Sequence, residues 1–148
     1  MGTFVYFRFH IFCNTRSHFG LLGNKQALGE VFHITSDVLL TWNQIFEIVA
    51  QAAGTKAHIV HIPSDWIARF DPEWGASLLG DKSHSMIFDN TKIKQAVPDF
   101  SATIPFAHGA VEIIQWYDSN PSRQVIDNSL NLLMDEMITL YETAWAPT

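Results

Sequence analysis

Apolar side chains along this chain follow two rhythms. Short β-branched and aromatic runs are bounded by Gly, Pro, Ser or Asp, and longer stretches repeat apolar residues every three or four positions. The first rhythm predicts strands at residues 31–35, between Gly29 and Ser36-Asp37, and at residues 57–62, ended by Pro63; the aromatic-rich residues 4–12 are a third candidate. The second rhythm predicts a helix from Thr41 to Gly54. Thr41 and Gln44 have the spacing of a capping box, Trp42, Ile45, Phe46, Val49 and Ala53 share a face, and Gly54 closes the end. Weaker helical patterns cover residues 14–22, closed by Gly23-Asn24, and residues 64–70, with Ser64 as cap and Asp71-Pro72 as breaker. Residues 73–85 contain Gly and read as irregular. Asp89 is placed as the N-cap of a short helix through Ala96, stopped by Pro98, and Pro105 opens a longer one with Phe106, Ala110, Ile113 and Tyr117 along one side. After Asn120-Pro121, residues 122–144 repeat Ile126, Leu130, Leu133, Met137 and Leu140 as a last helix.

The helix at 41–54 lies between two strands, so residues 31–62 form a candidate βαβ unit with parallel strands and a right-handed crossover. The expected fold class is therefore α/β: a small parallel βαβ unit followed by several helices. A chain of 148 residues is long enough for one domain with a core. The expected organisation is an atypical aromatic segment, residues 1–18, followed by a single domain, residues 19–148.

Charge and cysteine content narrow the function classes. A net charge of −6, with nine scattered Lys and Arg, supplies no basic field for a phosphate backbone, so nucleic acid is not an expected partner. Cys13 is the sole cysteine, which rules out an intrachain disulfide or a zinc site built on cysteines and favours a reducing compartment, read as cytoplasm. The apolar run at 4–12 is interrupted by Arg8 and His10 and is too short for a membrane span. Tyr6 stands where a myristoylation signal wants Ser or Thr.

Several runs, in order, carry a resemblance. Gly29-Glu30-Val31-Phe32-His33-Ile34-Thr35-Ser36 is followed by Thr41-Trp42-Asn43-Gln44-Ile45, then by Ala57-His58-Ile59-Val60-His61-Ile62-Pro63 and Gly80-Asp81-Lys82-Ser83-His84-Ser85. Phe88-Asp89-Asn90-Thr91-Lys92-Ile93, Ile104-Pro105-Phe106, Gly109 and Trp116-Tyr117 complete the series. Over residues 19–117 the chain resembles the C-terminal, substrate-binding part of an extended short-chain dehydrogenase/reductase of the NAD-dependent epimerase/dehydratase family. The resemblance implies a nucleotide-sugar or related carbonyl substrate, with NAD or NADP as cofactor in full-length relatives. Residues 1–18 depart from the family pattern, which points to a secondary start or a truncated reading frame. The family also implies that basic side chains just before the Asp-x-x-Lys helix meet substrate phosphates. Lys82 and His84 occupy that stretch here; the plainer alternative is a solvated loop in which Asp81 turns the chain.

The family's chemistry has no counterpart in these residues. A dinucleotide needs a strand-to-helix glycine turn with its pyrophosphate on the helix N-terminus. In Gly20-Leu21-Leu22-Gly23 the third glycine position is Gln26, and a helix-ending turn is the simpler reading. Four residues after Tyr6, Tyr117 and Tyr141 stand His10, Pro121 and Trp145, so the Tyr-x-x-x-Lys pair of general acid/base chemistry is missing. His58 and His61, at odd separation on a strand, would face opposite ways, and no acidic or cysteine ligand lies beside them. Cys13 reads as a small apolar residue rather than a nucleophile. No catalytic, cofactor or metal residue is therefore assigned, and the isolated chain is expected to be inactive and to bind neither NAD nor NADP.

A stand-alone binding or oligomerisation module is the alternative, because a half that packs on a nucleotide domain in its relatives leaves apolar surface for a homo-oligomer or for a partner supplying that domain. A distant likeness to a plant stem-loop RNA-binding branch of the same superfamily ranks last, since the basic surface it requires is absent.

Overall fold

The computed structural model describes residues 20–144. Helices make up 58% of the described residues, and there is no strand or sheet among them. The expectation of an α/β fold with a parallel βαβ unit is thus corrected to a helical one. Among the described residues, after Gly20 and Leu21, which are also helical, six α-helices follow in chain order: α1 Trp42–Ala52, α2 Ser64–Phe70, α3 Pro72–Leu79, α4 Thr91–Ala96, α5 Phe106–Asp118 and α6 Asn128–Ala144. Short 3-10 turns lie at Lys25–Ala27, Asp81–Ser83 and Pro121–Arg123. The strand candidate at 4–12, most of the helix expected at 14–22, and Cys13 fall outside the described residues. The described residues divide into two compact units, 20–57 with 86–116, and 58–85 with 117–144.

In the first unit, residues 31–35 are extended but join no ladder among the described residues. A side chain satisfies the backbone instead. The Thr35 N–H and hydroxyl both donate to Asn90 Oδ1, at 3.2 and 3.0 Å, and Asn90 Nδ2 donates to the Thr35 carbonyl at 2.7 Å. The Asn90 carboxamide thus stands in for the peptide group of a neighbouring strand, and both residues are buried. Nearby, Lys92 pairs with Glu30 at 2.7 Å, donates to the Val31 carbonyl at 3.0 Å and lies 5.0 Å from the centre of the Phe32 ring. Lys94 pairs with Asp37 at 2.9 Å, and His33 stacks on Phe88 at 4.5 Å. β-Branched composition favours an extended backbone, but a ladder needs a partner, and here side chains from residues 88–94 take that place.

Helix α1 starts and stops as its sequence predicts. Thr41 Oγ1 accepts from the Gln44 N–H while Gln44 Oε1 accepts from the Thr41 N–H, closing the capping box. At the other end Gly54, with φ of +71°, donates to the Gln51 carbonyl and Thr55 donates to Ala50, which is the Schellman arrangement. The buried face is turned from the expected one. Ile45 is buried and Ile48, Val49 and Ala52 are half-buried, whereas Phe46 is 54% exposed and stacks on Trp42. Ile93, Phe100 and Ala110 are the unit's other buried apolar residues. Asp89 is not itself the N-cap of α4. That position belongs to Asn90, whose side chain serves Thr35, while the Asp89 carboxylate accepts from the Thr91 N–H and hydroxyl.

In the second unit, residues 57–62 also join no ladder among the described residues. Ser64 does not cap α2; Pro63 holds that position with no side-chain bond. Residues 73–85, expected to be irregular, contain α3. Asp71-Pro72, read as a breaker, ends α2 and starts α3: Asp71 Oδ1 accepts from the Trp74 N–H at 2.8 Å, and Pro72 occupies the first turn, where its missing N–H costs nothing. Gly75 is buried against Ala68, and a Cβ at this position would run into the Ala68 backbone, so glycine here permits two helices to approach closely. Trp66 meets Phe70 at 5.9 Å and the edge of Tyr141 at 5.8 Å, which ties α2 to α6, and Met137 is the buried apolar residue of α6. The last helix begins at Asn128 rather than Ser122. Asn120 and Pro121 start a separate 3-10 turn, and Asp127 caps α6 by accepting from the Ser129 and Leu130 N–H groups at 3.0 and 3.1 Å.

Candidate functional site

Lys82 and His84 sit just after α3, at the 3-10 turn Asp81–Ser83. The turn is held by its own backbone and by Ser83, whose N–H and hydroxyl both donate to the Gly80 carbonyl, at 3.2 and 2.6 Å. Lys82 is half-buried and its ammonium donates to the Ser77 hydroxyl on α3, five residues back. That contact gives a flexible four-carbon side chain a defined resting place. His84 follows with extended backbone and is exposed. The two sequence-predicted residues therefore share one short segment, with Ser77 and Ser83 supplying hydroxyls beside them. A lysine ammonium seated on a serine hydroxyl suits an anionic oxygen, as a point charge beside one hydrogen-bonding group. Ser77 was not among the sequence candidates, because residues 73–85 read as irregular. The legible signal was Asp71-Pro72, the cap and first-turn pair of a helix that reaches Ser77.

The glycine turn is also positioned by packing. Gly20 and Leu21 are helical and Leu22-Gly23 turns out of that helix, with Gly23 at φ of +79° and the Asn24 N–H donating to the Leu21 carbonyl. Gly20 lies against Val97, where a Cβ would come within 2.5 Å of a Val97 methyl carbon. Asn24 Nδ2 donates to the Ala96 carbonyl at the end of α4. These residues end one helix and meet the last turn of another, and only a 3-10 turn, Lys25–Ala27, follows them.

His58 and His61 are both exposed. Among the described residues no group of three or more His, Cys, Asp and Glu is arranged to hold a metal ion. No helix among them is long and apolar enough to cross a membrane.

Two carboxylates are held below their ordinary range. Glu30 is lowered first by its hydrogen bond from Lys92 and then by that ammonium's charge, and Asp127 is lowered first by the Ser129 hydroxyl and then by the Leu130 N–H. Both are exposed and structural in role: the first fastens residues 30–32 to α4, the second caps α6.

No family model, no curated protein and no solved structure matches the chain.

Proposed function

We propose that this chain is the substrate-binding portion of an NAD-dependent epimerase/dehydratase-like protein, taking a nucleotide sugar or a related carbonyl substrate, with Lys82 and His84 as the cations that meet its phosphates. The observation that carries the reading is the placement of the Lys82 ammonium on the Ser77 hydroxyl, beside Ser83 and His84, in the stretch the resemblance assigns to phosphate contact. On this reading the isolated chain binds without turnover, because it carries neither the Tyr-x-x-x-Lys pair nor a dinucleotide turn.

Calorimetric titration of the chain with UDP-glucose and with dTDP-glucose tests the proposal. The expected result is binding that weakens with added salt, falls roughly tenfold in Lys82→Ala and is partly kept in Lys82→Arg. His84→Ala should lower affinity as well. Equal affinity in Lys82→Ala, or no heat with either nucleotide sugar, overturns the assignment.

The exposure of Trp116, Val125 and Ile126 favours a second reading, a stand-alone binding or oligomerisation module. The nucleotide-sugar titration separates the two, because a substrate-binding portion gives heat with the nucleotide sugar whether or not it associates, and an oligomerisation module gives none.

A further inference from the structure

Helix α6 has two unlike sides. On one, Met137 is buried, Leu133, Met134 and Ile138 are half-buried, and Tyr141 meets the Trp66 ring, so this side packs on its own unit. The other carries Leu132 and Leu140, 70% and 45% exposed, two turns apart along one stripe with Glu136 midway between them. The Thr139 and Thr143 hydroxyls donate to the carbonyls of Asp135 and Thr139, each at 2.7 Å, so their polar ends are turned onto the helix backbone. Every charged residue of α6 is acidic: Asp135, Glu136 and Glu142. The last turn holds no basic residue, so the negative end of the helix dipole adds to these side chains.

We propose that this outer stripe of α6 docks a basic amphipathic helix of another protein, one that presents leucine or aromatic side chains flanked by Lys or Arg. Leu132 and Leu140 flank Glu136 on one ridge of the helix, so an approaching helix meets apolar contacts on either side of a carboxylate, and the charge selects the occupant. A second copy of the chain would set Asp135, Glu136 and Glu142 against their own equivalents, a like-charge contact that costs affinity. Anionic surfaces are disfavoured for the same reason. A basic helix gains from both the leucines and the carboxylates.

The test is fluorescence anisotropy of the full chain with a labelled synthetic helix of Leu and Lys in amphipathic register, beside a Leu and Glu helix of the same apolar spacing. The expected result is binding of the Lys helix that weakens at high salt, drops roughly tenfold or more in L132S/L140S, and falls in D135N/E136Q, with no binding of the Glu helix. All four positions are exposed, so circular dichroism should show the variants folded; if the serine pair loses structure, Glu136→Lys provides the same test through charge alone. Unchanged binding in the variants, or equal binding of the Glu helix, overturns the proposal. So does a dimer of the parent chain that L132S/L140S converts to monomer, which would give the stripe to a second copy.

Discussion

Asn90 is the residue with most to lose on substitution, because its carboxamide serves the Thr35 N–H, hydroxyl and carbonyl together and also donates to Asp37. Alanine there leaves buried backbone groups without partners, each such group costing about 1–3 kcal/mol. Asn90→Ala should therefore shift the urea midpoint far more than Thr91→Ala, one residue away on the surface; equal midpoints would show that the carboxamide does not hold residues 31–37. Asp127 makes a different prediction, one of pH. Its folded pKa lies below its unfolded value, so its contribution is present in full above the unfolded value and is lost as pH falls through the folded one. The window is acidic, at and below the ordinary carboxylate range. Asp127→Asn keeps the cap acceptor but cannot titrate, so the helical signal of the variant should match the parent at neutral pH and lose less on acidification. Glu30 has the same sign through Lys92, and Lys92→Met should remove its share of the acid response.

At the scale of elements, helices were legible wherever their ends were chemically marked. Thr41, Gln44 and Gly54 delimit α1 in sequence and in space, since a capping box and a left-handed glycine act within a few residues of the bonds they satisfy. The face that α1 buries was legible only in part. Ile45→Ala should cost about 2–5 kcal/mol, as for other buried large-to-small changes, and Phe46→Ala should cost clearly less despite its larger side chain, because Phe46 is exposed. Matching urea melts for the two variants would mean the face is misassigned. The pairing of α2 with α3 offers a second test. Gly75→Ala should destabilise by about 1–3 kcal/mol, the usual cost of overpacking, because the added methyl meets Ala68 backbone and no side chain can swing away to relieve it.

At the scale of the whole molecule, the described residues bury few large apolar side chains. Ile45, Ile93, Phe100, Ala110 and Met137 make up the buried apolar set, while Leu22, Leu28, Val31, Trp116, Val125, Ile126 and Leu132 are among the many left exposed. Surface of that kind favours association and the binding of apolar dyes. Concentration-dependent sedimentation and dye fluorescence above that of a compact protein of similar size are the expected outcomes; a clean monomer at high micromolar concentration with no dye binding would contradict them. Calorimetry with NAD and NADP should show no binding, since Gly20 and Gly23 serve a helix-ending turn and the contact with Val97. Micromolar affinity for either cofactor would contradict that assignment.

Local chemistry was settled by the sequence alone: where α1 starts and stops, that Pro98 follows the end of α4, that Pro105 precedes α5, and that Tyr-x-x-x-Lys and a three-glycine turn are missing. Each depends on residues a few positions apart, within reach of one hydrogen bond or one proline ring. Tertiary structure decided whether an extended run became a strand. Residues 31–35 have the composition of one, yet strand formation is a property of a pair, and the groups that satisfy Thr35 come from Asn90, 55 residues along the chain. It also decided the fate of Asp71-Pro72. The same two residues can break a helix or start one, and the close approach of Gly75 to Ala68 packs α3 against α2. Lys82 was readable as a cation in a turn, but its seat on Ser77 exists only because α3 forms and brings that hydroxyl back over the turn.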